Sequence, residues 1–440
     1  MTPFLQQLQD AGVVGAGGAG FPVYMKLNCS VDILIANGAE CEPLLNKDQM
    51  LMQHESDALI KGMEIAMDCI GATQGIIAIK KKNSLTIQTL KPLLPKSISI
   101  LEMEDTYPAG DEAELIYRAT GMRIPAGGLP KDIGVVVNNV ESIINVYWAS
   151  IDKPVIGTMV TVHGEVTQPY TAKLPIGMSY ADALAIAGGV ICDDFVIVEG
   201  GPMMGSVTTD INKPLTKVSS GLLVLKADSR VAKIKQRSDA QVIKMARSAC
   251  DQCGQCSALC PRALLGYPVD PRKTMRVVLV ADSEHALAGQ ACCGCNLCTM
   301  WSCPEGVDPQ RVCSLAKRGL AEQKLSRTAE QLQAQTKEVH PLKPYRGVST
   351  SRLMRRLEVL DYYDRTVEYK ADIAMPKHVA IPLQQHIGRA AQAVVSVGQN
   401  VNKGDVVAQA CSDSLSVAMH ASVSGKVVKV DHQVVIESLC

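Results

Sequence analysis

The sequence predicts a multidomain chain of mixed α/β and α+β class, built from consecutive units. Three observations carry that prediction. At 440 residues the chain is too long for one ordinary core, and its length suggests roughly three domains of ~150 residues. Short apolar runs bounded by Gly, Pro and Asn fill the first third, while β-branched alternation marks two later stretches. Between those stretches, from Cys250 to Cys313, lie ten of the sixteen cysteines.

Residues 1–150 read as an α/β domain. A short amphipathic helix carrying Phe4, Leu5 and Leu8 runs into the glycine-rich stretch GVVGAGGAGFP at 12–22. Apolar runs at 32–36, 75–80 and 133–137 are short enough to be buried parallel strands. Residues 151–228 alternate in MVTVHGEV and FVIVEG around one helical segment, SYADALAIAGG, which Ser179 caps and Gly188 and Gly189 end. This pattern resembles a small mixed β-grasp module. Residues 229–325 hold the cysteines among helical patterns, after a charged linker or connecting helix at 226–245. Residues 326–375 form a connecting segment, rich in Gln, Lys and Arg and then broken by Pro341 and Pro344, that is expected to wrap over the other units. Within it SRLMRRLEVLDYY (351–363) reads as a basic amphipathic helix, and ordinary packing is favoured over a membrane-surface role. Residues 376–440 return to short strands, GQNVNKGDVVAQ and HASVSGKVVKV. They resemble a barrel-sandwich hybrid of the lipoyl/biotinyl kind. The hairpin that carries a modified Lys in carrier domains is here CSDSLSVAM, so a structural or docking role is expected, with His420 a packing residue.

Composition excludes several function classes. Lys+Arg and Asp+Glu are both 44, a formal charge of zero. Nucleic acid is therefore not expected as the main partner, because phosphate binding relies on a clustered positive excess. No run of 18 apolar residues exists, so no transmembrane segment is expected. The start, MTPFLQQLQDAG, lacks a basic region followed by an apolar one and does not read as a secretory signal. In such a chain sixteen cysteines read as ligands in a reducing compartment.

The cysteine spacing is the most specific local signal. Cys250-x2-Cys253-x2-Cys256-x3-Cys260-Pro261 matches the bacterial ferredoxin run that supplies thiolates to [4Fe–4S] clusters. Two residues between ligands let three consecutive thiolates wrap three corners of a cube from one tight turn, while the fourth points to a second cluster. The second run is Cys292-x2-Cys295-x2-Cys298-x4-Cys303-Pro304, one residue longer in its last gap. The expected ligand sets are Cys250, Cys253, Cys256 and Cys303 for one cluster and Cys292, Cys295, Cys298 and Cys260 for the other. Cys293 and Cys313 are left as spare thiols. Cys29, Cys41, Cys69, Cys192, Cys411 and Cys440 are expected to be buried structural thiols. Zinc is the lesser alternative, since C-x2-C pairs also serve tetrahedral sites.

Gly15-x-Gly17-x-x-Gly20 satisfies the dinucleotide fingerprint as a bare pattern, but a helix precedes it and a strand follows, so a standard Rossmann βαβ reading is rejected. Glycines nonetheless let backbone N–H groups approach a phosphate or a planar ring, and a helix starting at Phe21-Pro22 would add positive dipole. Alone, the loop reads equally as a plain turn.

Four blocks in order, GAGGAGFP followed by Lys26, NGAECEP (37–43), YPAGDE (107–112) and NNVES (138–142), resemble the flavoprotein subunit of respiratory complex I and the C subunit of the Rnf electron-transport complex. The resemblance implies an FMN/NADH-binding domain over 1–150. In it Gly15, Gly17, Gly18, Gly20, Lys26, Asn37, Glu40, Tyr107, Gly110, Asn138 and Asn139 would surround FMN and the nicotinamide nucleotide. Lys26 would meet phosphate, and Glu40 and the Asn side chains would bond the flavin. Ala39 stands where complex I has Asp. For Lys26, Glu42 and Asp111 a solvated surface charge is the competing reading. Domain order separates the relatives, because the Rnf protein has its hybrid domain first and this chain has it last. That order resembles the cobalamin reductases of propanediol-utilisation microcompartments: FMN domain, β-grasp (SLBB-like) domain, ferredoxin-like two-cluster domain and C-terminal hybrid.

The implied activity is an NADH-dependent oxidoreductase with FMN and two [4Fe–4S] clusters. It would reduce cob(III)alamin and cob(II)alamin to cob(I)alamin for coenzyme B12 recycling in propanediol degradation. The implied setting is the cytoplasm, within a microcompartment, with an adenosyltransferase and shell or lumen proteins as partners and a homo-oligomer compatible. No Ser-His-Asp, Cys-His or H-E-x-x-H arrangement is present, so no catalytic side chain is expected and the cofactors would do the chemistry. The D-x-H-x-x-G lower-ligand pattern is absent, making the corrinoid a docked substrate. Two rivals stand beside this reading: a peripheral electron-input subunit of an Rnf-like membrane complex, and a scaffold protein with structural clusters.

Overall fold

The computed structural model describes residues 1–280, 282–412 and 414–439; Cys440 lies outside them. The first unit is built on a parallel four-stranded sheet. Spatially its strands run Ile98–Met103, Gln74–Lys80, Ile33–Gly38, Val135–Asn139. Three of these are the predicted apolar runs. The fourth, Ile98–Met103, escaped prediction because as an edge strand only its two ends are buried. Helices Ser56–Ile70 and Val140–Ser150 pack together, with Gly62 seated against the Ile143 carbonyl, where a Cβ would collide with the oxygen. The predicted first helix is Pro3–Asp10, capped by Thr2. The helix after Pro22 is a single turn, Val23–Lys26. So short a helix adds little dipole to the glycine loop, which corrects the expectation.

The β-grasp unit is a six-stranded mixed sheet whose helix, Tyr180–Ile186, starts at the Ser179 cap as expected. Its outermost strand, Glu368–Lys370, comes from the connecting segment and pairs in parallel with Tyr170–Pro175. The same segment sends Val348–Ser349 to pair with Thr106–Tyr107 of the first unit. It wraps by strand addition. Its basic helix is packed: Leu353, Met354 and Leu357 are buried, and Glu358 breaks it in the left-handed region before a further turn, Leu360–Tyr363.

The last unit stacks a four-stranded on a three-stranded antiparallel sheet. Its apolar residues, Val379, Val434 and Ile436 among them, share one continuous core with Leu5, Leu8 and Ile144 of the first unit. A second core joins Tyr107, Val198, Met203, Leu297 and Leu353, drawn from four units. The contacts that join units are therefore core contacts, and the relative positions of loops at the junctions are set by packing.

Candidate functional site

The sheet order puts a topological switch point between Ile33–Gly38 and Val135–Asn139. The chain moves outward from the first strand twice, then returns to its other side. In open α/β sheets ligands bind outside the carboxyl ends of the strands at such a point. Those ends carry Asn37 and Asn138–139, with Asn37 level with Asn139 and Ala36 with Asn138.

The glycine loop closes this crevice. Gly15 N–H bonds the Phe21 carbonyl, so the loop folds back on itself. A Cβ on Gly17 would meet the Asn139 side chain at 3.0 Å, whereas one on Gly18 would meet nothing, so backbone faces open space there. Ala16 is held from both sides: its N–H donates to Ser142 Oγ (2.9 Å) and its carbonyl accepts from Lys47 Nζ (3.1 Å). Gly20, with φ +75°, lies against the Gln385 carbonyl and His386 of the last unit.

A buried charged set supports the loop. Lys47 and Glu141 pair at 2.6 Å, each almost inaccessible. Burial works against the Lys47 ammonium, but Glu141 outweighs it and the net displacement is upward. Asn139 donates to Asp48 (3.0 Å) and caps helix Val140–Ser150 by accepting the Glu141 N–H. Burial pushes the Asp48 carboxyl up to about 6. Burial, reinforced by Asp48, pushes Glu40 up to about 8, although Glu40 accepts the Asp48 N–H at 3.0 Å. None of Lys47, Asp48, Glu141 or Ser142 was singled out from the sequence as a site residue. The lysine has no local signature, because only tertiary burial distinguishes it.

Other motif residues take different posts from those expected. Lys26 reaches Glu112 at 3.3 Å and stays part-exposed. Asn37 Nδ2 donates to the Gly110 carbonyl at 3.0 Å, bringing the YPAGDE loop to the crevice. Tyr107 is buried with its hydroxyl on the Cys295 carbonyl at 2.6 Å, so it faces the cysteine loop. Asp111 caps helix Glu112–Thr120 and pairs with Arg262 at 3.0 Å. Glu42 accepts the N–H groups of Met203 (2.9 Å) and Met204 (2.7 Å) in the β-grasp loop at 201–205. The surface-charge reading fails for Glu42 and Asp111. Lys235 donates to the Met203 and Gly205 carbonyls, and Asn296, beside Cys295, donates to the Met203 carbonyl at 2.9 Å. That loop ties the flavin motif to the cysteine array.

The thiols fall into two groups. Cys250, Cys253, Cys256 and Cys303 line one cavity with Gly254, Arg272 and Pro304. Burial pushes Cys256 up to about 12, with Cys250 and Cys303 beside it. Around Cys298, which burial also raises, stand Cys292, Cys260 and, from the first group, Cys256. Burial pushes Cys260 up to about 12, and Cys292 and Cys293 face it. The two groups thus exchange their fourth members, Cys303 and Cys260, between the runs. Cys313, treated as spare, is wholly buried and hydrogen-bonded to Cys292, whose thiol it pulls down to about 6. Cys293 is hydrogen-bonded to Cys295. Both belong spatially to the second group. Cys29, Cys41, Cys69, Cys192 and Cys411 are half-buried rather than buried.

The residues present fit the cofactors that the resemblance implies. Asn138 Nδ2 and Asp48 Oδ1 are buried polar atoms without a partner at the crevice, and the open backbone at Gly18 admits a group beside them. Among the described residues no three of His, Cys, Asp or Glu converge as a single-ion site. Thiols spread around a cavity suit a many-atom cluster better than one zinc ion.

Comparison with known proteins identifies the units by kind. Family models match as a Nuo51 FMN-binding domain at 8–148, an SLBB domain at 159–207, a 4Fe-4S dicluster domain at 249–308 and an RnfC barrel sandwich hybrid domain at 367–438. Cobalamin reductase PduS of Salmonella typhimurium is 38% identical over 434 residues, 98% of this chain and 95% of that protein. Its Citrobacter freundii counterpart is 38% identical over 438 residues, 97% and 94% of the two chains. One component of the proton-translocating ferredoxin:NAD(+) oxidoreductase complex of Clostridium ljungdahlii is 34% identical over 265 residues, 58% of this chain and 55% of that one.

Proposed function

The chain belongs to the cobalamin reductase PduS family of oxidoreductases, and on that premise we propose that it uses NADH to reduce cob(III)alamin and cob(II)alamin to cob(I)alamin. FMN, when bound, supplies the exchange between a two-electron hydride donor and one-electron acceptors. Two [4Fe–4S] clusters would take the eight thiolates, Cys250, Cys253, Cys256 and Cys303 in one set and Cys260, Cys292, Cys295 and Cys298 in the other.

One observation carries this reading. The flavin crevice abuts the second thiol group: Gly110 sits on Asn37, Asp111 grips Arg262 two residues after Cys260, and Tyr107 holds the Cys295 carbonyl. With the cofactors bound, the Cys260 group would stand next to the crevice, joined to it by the Asp111–Arg262 pair and the Tyr107–Cys295 bond. At the crevice, Asn37, Asn138, Asn139 and the Gly15–Gly20 backbone would hold the flavin, while Lys47 and Glu141 lock the loop behind it. Tyr107 and Leu297 keep water from the thiolates. An adenosyltransferase would consume the cob(I)alamin, in the cytoplasm within a microcompartment.

Anaerobic reconstitution with iron, sulfide and FMN, followed by NADH and cobalamin, tests the proposal. Reduction of cobalamin by the purified chain alone is the expected result. The likeness to the Clostridium ljungdahlii protein supports a second reading, an electron-input subunit of an Rnf-like complex. NADH oxidation with artificial acceptors but never with cobalamin would favour that one. Among the described residues no helix is long and apolar enough to cross a membrane.

A further inference from the structure

Arg262 joins the flavin unit to the Cys260 group, and one of its hydrogen-bond donors is left over. The residue stands in the single helical turn Pro261–Leu264, which Cys260 opens. Its backbone N–H and that of Ala263 are donated to the Cys260 thiol. The guanidinium is held on two sides: Nη2 donates to Asp111 Oδ2 at 3.0 Å, and the centre of the Tyr267 ring lies 5.3 Å from Cζ. Nε is buried and has no acceptor. A buried donor of a charged group without a partner is uncommon and costly, and it marks a place for a further acceptor.

The surrounding charges give the guanidinium a direction. Asp111 follows Gly110, whose carbonyl accepts from Asn37 at the flavin crevice. The Asp111 carboxylate is divided, Oδ1 on the Glu114 N–H at 3.2 Å and Oδ2 on Arg262. On the other side, Cys292 and Cys293 both feel the positive charge of Arg262. The ion pair therefore spans the junction with its negative end toward the crevice and its positive end toward the thiols. Cys292 has a second cationic neighbour, Lys317, but that side chain is exposed and screened by solvent.

We propose that Arg262 is the potential-setting residue of the Cys260 group: a fixed cation, aimed by Asp111, that favours the reduced state of the cluster held there and donates its spare Nε–H to sulfur. The inference rests on the function proposed above and adds to it the residue that makes the step out of the crevice favourable. In that step the reduced flavin loses one electron and the cluster gains it, and no bond is made to the protein. The gained charge is negative, so a neighbouring cation stabilises the product more than the reactant. Arginine stays protonated throughout, so the compensation needs no proton uptake. A unit charge ~10 Å away, acting through an effective dielectric of ~20, changes a one-electron equilibrium roughly tenfold, which corresponds to about 59 mV.

The test is a redox titration of the anaerobically reconstituted holoprotein, followed by electron paramagnetic resonance, for the parent, Arg262→Gln and Asp111→Asn. Salt at ~0.5 M screens Lys317, and the signal of the Cys260 group is the one missing from Cys260→Ser. Iron and flavin contents are measured on each sample. Arg262→Gln is expected to lower the midpoint of that signal, so that the reduced-to-oxidised ratio at the parent's midpoint falls about tenfold. Asp111→Asn removes the counter-charge yet still caps helix Glu112–Thr120, and is expected to raise the same midpoint. The Cys303 signal should keep the parent's midpoint. Shifts of opposite sign are what a merely structural joint does not produce. Unchanged midpoints, or both variants moving the same way, would overturn the proposal while leaving the proposed function standing. If Arg262→Gln does not take up iron, the direction of the Asp111→Asn shift decides alone. A parent without two reducible clusters would remove the proposed function, and this role of Arg262 with it.

Discussion

Glu42→Ala is the substitution whose consequence the structure makes most definite. Glu42 is buried and accepts two backbone N–H groups, from Met203 at 2.9 Å and Met204 at 2.7 Å. Burial pushes its carboxyl up, while those two N–H groups and nearby Lys235 pull it back. Met204 is 60% exposed, so its N–H can turn to water, but Met203 is fully buried and its N–H cannot. Orphaning one buried donor costs about 1–3 kcal/mol. Lys235, which burial already pushes down to about 8 with Glu42 opposing, loses its main counter-charge. The sum is on the order of 3 kcal/mol, the upper end of the range for an orphaned buried donor, because the nearby Lys235 charge also loses a favourable neighbour. Differential scanning calorimetry should show the transition containing the β-grasp unit falling by roughly 5–10 °C. Glu42→Gln, which keeps an acceptor, should recover about half of that. A Glu42→Ala protein within ~1 kcal/mol of the parent would refute the claim that this carboxylate holds the 201–205 loop.

Four further outcomes follow from the same geometry. Cys303→Ser and Cys260→Ser should each lose about half the iron, from different clusters, whereas Cys313→Ala should keep it all; electron paramagnetic resonance of the reduced proteins checks this. Asn139→Ala removes a helix cap worth ~1 kcal/mol and the bond to Asp48, and should weaken FMN binding at least tenfold by fluorescence titration. Lys217 is buried, with its ammonium on the Gly12 and Ala418 carbonyls at 2.7 and 2.9 Å, and burial pushes it down to about 7. A lysine depressed from 10.5 binds its proton less tightly folded than unfolded, so its contribution improves as pH rises from about 7 to 10.5. The stability difference between the parent and Lys217→Met should therefore shift in the parent's favour across that range, and a flat difference in Tm would contradict the assignment. Gly17→Ala should lower flavin uptake, because its Cβ would meet Asn139 at 3.0 Å and displace that side chain; unchanged flavin content would contradict a role for Asn139 in seating the flavin.

The parts of this molecule that could be read in advance are those whose chemistry is local in sequence. Spacing within each cysteine run follows from one tight turn, so the gathering of the thiols into two groups, with Cys303 beside the first run and Cys260 beside the second, could be expected from the sequence; their service as cluster ligands belongs to the proposed function. The flavin blocks were legible by resemblance, and the strands bearing Asn37 and Asn138 by their apolar runs. What escaped depends on partners far along the chain. Tyr107 turns to a carbonyl 188 residues away, and Glu42 to N–H groups 161 and 162 residues on. The strand Glu368–Lys370 joins a sheet whose other members end at Lys226. Cys313 lies on helix Pro309–Glu322, beyond both runs, so nothing in their spacing pointed to Cys292. Buried charge pairs such as Lys47–Glu141 leave no periodic trace, since a lysine in an amphipathic pattern reads as surface.

Freeze-quench electron paramagnetic resonance after mixing anaerobic holoprotein with NADH and cob(II)alamin tests the central claim most directly. The account predicts that reduced-cluster signals rise while the cob(II)alamin signal decays, and that both changes vanish in flavin-free protein. Loss of cob(II)alamin signal with no cluster signal in turnover, or from flavin-free protein at the same rate, would contradict it.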